Sequence, residues 1–286
     1  MGLLFTAPKL EIVTWDVQHG DAILIKTPND KIVVLDLGIG SFQSENERFS
    51  PLNHLLIKYG ISKIDCLLIT HPHKDHIEDI ESLRHFKINR IITSQHIPKT
   101  RIGKNALPRD ESLHRAYKKL LTESYLPSRA LSFGELKLKI FSPYRCSLNN
   151  LNNHSLVVVL LFGDLKFVIT GDNEFDSLDE LIHNQNFRKY VDDAHILWAP
   201  HHGRESAFHY HFVKRVNPLF TIISDDKNIR TSAANKYARM SEVDFVTSKS
   251  VGDCQRKLLT TRKDGVIRIK AKINFWGESS FDVFVK

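Results

Sequence analysis

Asp65–His76 reads DCLLITHPHKDH, and how this stretch is understood decides how the rest of the chain is understood. Its first half, Asp65 to Thr70, is a short apolar run of the kind that fills a strand covered on both faces. Directly behind it, His71, His73, Asp75 and His76 place three imidazoles and a carboxylate within six residues. Imidazole nitrogen and carboxylate oxygen are the donors that a borderline cation such as Zn²⁺ takes. Four such groups converge at one strand end when a cation offsets their crowding. The plainer alternative is a polar loop that happens to be His-rich, but with 15 His in 286 residues this spacing fits chance poorly. The stretch reads as a metal site.

Six residues do not supply every ligand of a two-metal centre, so partners are expected at other strand ends. Asp172 follows the apolar run Lys166 to Thr170, with Gly171 allowing a sharp turn. His201 and His202 follow the run His195 to Ala199 and precede Gly203. In each case a rigid strand aims a donor from a loop. Asp172 can also be read as a cap for a helix beginning near Asp176, and one of the two histidines can be idle.

Around these segments the chain alternates strands and helices. Runs at 10–17, 22–26 and 31–36 form a meander, with turns at Gly20-Asp21 and Pro28-Asn29-Asp30. Ser50-Pro51 is a helix start and Gly60 its stop. Helical spacing returns over 76–86. The basic, polar stretch 98–127, with a helix over 109–124, reads as an insertion too short for a core of its own. Further strands fall at 135–141, 155–162, 166–170, 195–199, 218–224 and 244–247, with a helix over 176–190. Lys257 to Arg262 and Val266 to Lys270 read as a hairpin around Lys263-Asp264-Gly265. Strands and helices occur twice in similar order, which predicts two sheets packed face to face with helices outside, an α/β (α+β) chain forming one domain over 1–286.

Composition bounds the function. Hydrophobic residues at 42% and charged residues at 26% exclude a disordered or collagen-like chain. No window approaches the ~18 apolar residues that cross a bilayer. The start lacks the basic region of a secretory signal, although Gly2 and Thr6 fit the short, common myristoylation pattern. The net charge of +7 favours encounter with polyanions such as nucleic acid without specifying one. Cys66, Cys146 and Cys254 are scattered and in no CxxC pair, which points to a reducing, cytoplasmic setting.

HPHKDH resembles the HxHxDH signature of the metallo-β-lactamase superfamily, with Asp172 and Pro200-His201-His202-Gly203 as its later metal motifs. WDVQHGDAILI…VVLDLG, NNHSLVVVLLFGDLKFVITGD, ILWAPHHG and LLTTRKDGVIRI resemble, in order, the branch represented by the soluble hydrolase domain of the DNA-uptake competence protein ComEC. This resemblance spans roughly residues 10 to 271. It implies a four-layer αββα sandwich with two divalent metal ions, zinc or manganese, at one edge. It implies that His71 and His73 bind one ion, that Asp75 and His76 bind the other, that Asp172 bridges them, and that His201 or His202 completes the second site. Asp36 in LDLG would orient the ligand loop by hydrogen bonding. Asp16, His19 and Asp21 would lie in a polar loop near the metals, in structural or substrate-facing roles, with a turn role open for Asp21.

The chain departs from the family in places. Where most of the superfamily has a ligand His, it reads Asn152-Asn153-His154-Ser155, so either His154 binds metal or Asn153 meets substrate. Glu78-Asp79 stands where the branch often has Gly-Gly, and Asn228-Ile229-Arg230-Thr231-Ser232 replaces its Asn-x-x-x-His-Pro. The channel segments of the competence protein have no counterpart here, so transport is not implied.

The expected chemistry is hydrolysis by a water that two cations bring to hydroxide near neutral pH, with Asp75, His76 and His202 as catalytic residues. The leading substrate is a nucleic-acid phosphodiester, DNA or RNA, which the basic stretches 99–109 and 115–119 would track. A small phosphodiester, such as a nucleotide signal or phosphocholine ester, is the enzymatic alternative. A non-catalytic nucleic-acid-binding subunit of a defence or repair complex is the third reading, and a protein partner from a multi-gene system fits it. No membrane is expected among the partners.

Overall fold

Lys9–Thr14 pairs antiparallel with Ile23–Lys26, and that strand with Ile32–Leu35, as the alternating apolar pattern requires. The computed structural model describes residues 7–40, 48–104, 106–122, 131–226, 232–242, 245–249 and 252–285, without the side chains of 245–249 and 252–255. Gly2, Thr6, Asn228 to Thr231, the tail of the basic stretch beyond 122 and the Cys254 side chain lie outside the described residues.

The meander sits inside a nine-stranded sheet. Its order is Gly252–Arg256, Phe245–Lys249, Ser279–Val285, Ile267–Ile273, Lys9–Thr14, Ile23–Lys26, Ile32–Leu35, Cys66–Ile69 and Ile91–Thr93. A second sheet runs Leu258–Thr260, Phe220–Ile223, Ile196–Trp198, Leu165–Ile169, Val157–Phe162 and Leu136–Phe141. Successive residues of a strand point to opposite faces, and the chain uses both. Leu35 and Leu68 of the first sheet meet Val158, Phe167 and Ile222 of the second in the central core. Their neighbours Val34, Leu67 and Ile69 pack outward against Leu52, Leu55, Ile80 and Tyr117. On the other side Val159, Val168 and Leu197 pack against Leu178, Phe187, Phe212 and Tyr237. The result is the helix–sheet–sheet–helix layering expected of the sequence.

Local signals are mostly honoured. Pro51–Tyr59 is a helix whose Ser50 cap accepts from the Asn53 N–H, and Gly60 ends it at φ 64 in the left-handed region open to glycine. Three expectations need correction. The helix over 176–190 is two helices, Phe175–Ile182 and Gln185–Val191, because the Asn184 side chain accepts from the Asn186 and Phe187 N–H groups and starts a new one. The segment 76–86 divides into the helical turn Lys74–Ile77 and a 3₁₀ stretch, Ile80–His85. The hairpin around Lys263-Asp264-Gly265 does not form. Leu258–Thr260 joins the second sheet beside Phe220–Ile223, whereas Ile267–Ile273 joins the first beside Lys9–Thr14. The helical turn Thr261–Asp264, pinned by the Asp264 carboxylate accepting from the Thr260 N–H, carries the chain across. In the basic insertion, Glu111–Leu120 is helical and lays His114, Tyr117 and Leu120 inward. Among the described residues no helix is long and apolar enough to cross a membrane.

Candidate metal centre

Four strands of the two sheets end at one edge. Ile32–Leu35 and Cys66–Ile69 are parallel neighbours in one sheet, Leu165–Ile169 and Ile196–Trp198 in the other, so their carboxyl ends share a direction. The loops leaving those ends carry Asp36, the 71–76 motif, Asp172 and the His201-His202 pair. Carboxyl ends of parallel strands are where α/β sheets place ligands. The Leu156 N–H donates to the Thr70 carbonyl and ties the two sheets together there, while the Asp172 N–H donates to Ser155 Oγ within the second sheet.

The backbone is bent to aim these donors. Asp36 has φ 58, His201 φ 46 and His202 φ 54, left-handed values that cost a non-glycine residue roughly 1–2 kcal/mol. Strain of this kind persists where the surroundings over-determine it, and it collects at functional sites. Gly20 serves the same end, because a Cβ there would lie 2.3 Å from the Asp75 carbonyl oxygen.

Asp172 is the hub. Its Oδ1 lies 3.2 Å from His76 Nε2 and 3.3 Å from His202 Nε2. Its Oδ2 lies 3.8 Å from both His71 Nε2 and His201 Nε2. Asp75 Oδ2 stands 3.3 Å from His202 Nε2 and 3.6 Å from His76 Nε2. Donor atoms of Asp75, His76, Asp172 and His202 all fall within 4.8 Å of one another, a set that could hold a metal ion. Asp172 thus presents one oxygen to the Asp75, His76 and His202 side and the other to the His71 and His201 side. His73 stacks edge-on against the His71 ring at 4.5 Å, on the more open side of the site.

The atoms themselves argue for a cation. His71 Nε2, His76 Nε2, His202 Nε2 and Asp172 Oδ1 are buried and lack hydrogen-bond partners, a costly state that a bound ion would relieve. Burial drives the His71 imidazole well below its ordinary value, which leaves it neutral with a lone pair to give. Burial also opposes charge on His76 and His202, yet the Asp172 carboxylate and its neighbours outweigh it and hold both well above the usual range. Asp172 and Asp75 are held below the carboxylate range by the same imidazoles, against the effect of burial. The residues present fit a divalent metal.

Behind the donors, Asp36 is fully buried. It accepts from the Thr70 N–H at 2.7 Å, from Thr70 Oγ1 at 2.7 Å and from His76 Nδ1 at 2.8 Å, while burial pushes its carboxyl upward. That bond leaves His76 Nε2 facing Asp172. Asp21 is pushed up to about 6 by burial, and its carboxylate lies within reach of Asp36 and His76.

Other expectations separate. His154 is placed away from Asp172, its Nδ1 2.8 Å from His96 Nε2 and its Nε2 3.3 Å from the Ser147 carbonyl. Asn153 accepts from the Glu174 N–H and Ser177 Oγ, capping the helix Phe175–Ile182 rather than facing the cluster. Asp16 accepts from the Gln18 N–H within its own loop. His19 does reach the site, its Nε2 3.4 Å from Asp75 Oδ2, and burial with the adjacent His202 pulls it down to about 4. Two residues had no sequence signal. Glu174 Oε1 lies 3.0 Å from His201 Nδ1 and fixes that ring, and Arg204 Nη2 stands 3.4 Å from His19 Nε2.

Comparison with known proteins agrees with this frame. Residues 15–122 match the family model described as the metallo-beta-lactamase superfamily. The chain is 29% identical over 248 residues to ComE operon protein 3 of Bacillus subtilis (strain 168), covering 80% of this chain and only 30% of that protein's length. Among solved structures, the metallo-beta-lactamase fold protein YhfI from Bacillus subtilis matches with a TM-score of 0.50 and 14% identity, over 90% of this chain and 98% of that one. The latter is a likeness of fold.

Proposed function

From the match of residues 15–122 to the metallo-beta-lactamase superfamily model, we propose that the chain is a metal-dependent phosphodiesterase that cleaves nucleic acid, DNA first among the candidates. The observation that carries the reading is the convergence of Asp75, His76, Asp172 and His202 at one strand edge, with their donor atoms within 4.8 Å of one another. The net charge of +7 and the ComEC-like motifs favour a polyanionic substrate over a neutral one.

Two divalent cations, zinc or manganese, would be held by His71, His73 and His201 on one side of Asp172 and by Asp75, His76 and His202 on the other; when bound they supply Lewis-acid activation of a water and offset phosphate charge. The chain's own residues supply the rest. The Asp75 side chain is 21% exposed against 3% for Asp172, and its Oδ2, 3.3–3.6 Å from the His202, His19 and His76 Nε2 atoms, would orient the attacking water from the more open side of the cluster. His76 and His202 position that carboxylate from behind. Arg204, beside His19, presents its guanidinium to the negative charge that builds on the phosphoryl group. The protein works in the cytoplasm, as its scattered cysteines favour.

The test is cleavage of end-labelled single- and double-stranded DNA and RNA with Mn²⁺, Zn²⁺, Mg²⁺ or chelator, beside an Asp75→Asn, His76→Ala variant. Metal-dependent cleavage that the variant lacks is the expected result. Intact polymers under every metal would overturn the nuclease reading, and hydrolysis of a generic small diester in the same samples would redirect it to a small-molecule esterase.

A further inference from the structure

The basic insertion does more than cover the sheet. Between it and residues 148–151 lies a cavity of about 400 Å³ whose inner wall is His73 and Asp75, so it opens directly beside the cluster. That volume lies in the range of small-ligand pockets. Lys74 lines it beside the cluster, and the insertion adds two further cations, Arg101 and Lys104. One Arg101 nitrogen, Nη1, donates to Asn149 Oδ1 at 3.2 Å, which steadies the guanidinium and leaves its other donors for a ligand. Lys104 has no acidic partner among the described residues. Of the two carboxylates in the wall, Asp75 is held by the imidazoles of the cluster and Asp110 is answered by Lys74 Nζ at 3.1 Å. Leu107, 53% exposed, and Leu151 make an apolar side. The wall also holds His114, 6% exposed, whose Nδ1 is buried without a hydrogen-bond partner. A glycine at 103 makes room for it, since a Cβ there would meet the His114 ring at 2.7 Å.

A pair of cations, an unpaired buried nitrogen and an apolar wall are what a nucleotide presents a need for: phosphate, polar edge and base face. We propose that this cavity is the subsite for the nucleotide flanking the bond that is cut, its backbone phosphate held by Arg101 and Lys104 and its base laid on Leu107 and Leu151. His114 Nδ1 supplies a further polar contact. The inference rests on the phosphodiesterase reading and adds to it how a polymer is told from a small diester: only the polymer carries a phosphate one residue away from the cluster.

The experiment compares wild type with an Arg101→Ala, Lys104→Ala variant on two substrates, a DNA oligonucleotide and a bis-aryl phosphodiester that has no flanking nucleotide. Both substituted side chains are at the surface of the insertion, and unchanged turnover of the diester reports that fold and cluster are intact. The expected result is a KM for the oligonucleotide raised about tenfold, with a salt slope shallower by about one per lost phosphate contact, and an unaltered kcat/KM for the diester. A second variant, Leu107→Asp, should raise the same KM by repelling phosphate from the wall. An oligonucleotide KM equal to wild type in both variants would overturn the subsite, and so would equal losses on both substrates. Wild type that turns over the diester but never the oligonucleotide also sinks the subsite, whereas wild type inert on both sinks the phosphodiesterase reading itself.

Discussion

Replacing Asp36 by Asn removes one charge and almost no volume, and its effect follows from three hydrogen bonds. In the native chain Oδ1 accepts from the Thr70 N–H, and Oδ2 accepts from Thr70 Oγ1 and His76 Nδ1, all at 2.7–2.8 Å and with no solvent near. An Asn has one acceptor oxygen and one amide nitrogen that only donates. With its oxygen towards the Thr70 N–H, the amide nitrogen meets His76 Nδ1, which must then accept, so the ring keeps its one proton on Nε2 and cannot offer that atom to a metal. That is the atom 3.2 Å from Asp172 Oδ1. With the amide flipped, its N–H groups oppose the Thr70 N–H instead. Either way one buried pairing fails, and the bonds that remain lose their charge assistance. The cost is about 2–3 kcal/mol of stability, from bonds to a charged group worth roughly 1.5–3 each and only partly lost. Misdirecting a ligand's tautomer costs metal affinity a further 10–100-fold, about 1.4–2.8 kcal/mol. Asn is the right probe because it tolerates the left-handed φ of 58 at this position, which Ala does not. Urea unfolding in chelator reads the first quantity, and competition with a chromophoric chelator reads the second. An Asn variant that binds metal as tightly as wild type would refute the idea that Asp36 sets the His76 tautomer.

Four further outcomes follow from the same geometry. His154→Ala should keep full metal content by elemental analysis, whereas His201→Ala and His202→Ala should each lose metal; loss in His154→Ala alone would reverse the assignment. Gly20→Ala should destabilise by about 1–3 kcal/mol in thermal unfolding, because it combines φ 125 with a Cβ 2.3 Å from the Asp75 carbonyl. Metal added at pH 7 should release protons, because His76 and His202 are held well above the usual value and carry charge until a cation takes their Nε2 atoms; calorimetry in two buffers of different ionisation enthalpy measures the number released, and none released would contradict it. For the metal-free chain the sign is that of a raised pKa. The imidazolium–carboxylate pairs stabilise fully below the unfolded value of about 6.5, and that stability is lost as pH rises through the folded value, so metal-free protein should unfold more easily at pH 9 than at pH 7, with the reverse ordering falsifying the pairing.

The residue types and spacings visible in the chain determined a good deal about this protein. Strand periodicity, the Ser50 cap and the Gly60 stop are local properties, so the meander and the first helix could be read directly. The 71–76 motif announced a metal site because four donors within six residues need no tertiary information to be recognised. Where the reading stopped is equally physical. Lys257 to Arg262 and Val266 to Lys270 have the pattern of a hairpin, but pairing partners are non-local, and each strand found a better edge in a different sheet. His154 and His201 are both imidazoles beside strand ends; what separates them is the direction of a ring, set by His96 and Ser147 for one and by Glu174 and a φ of 46 for the other. Arg204 and the cavity under the insertion join groups tens to hundreds of residues apart, as the 185-residue separation of Arg204 and His19 shows. Composition and spacing select which chemistry is available, because they act over a few bonds. Only packing decides which donors reach the same few ångströms of space, because that depends on how two sheets are brought edge to edge.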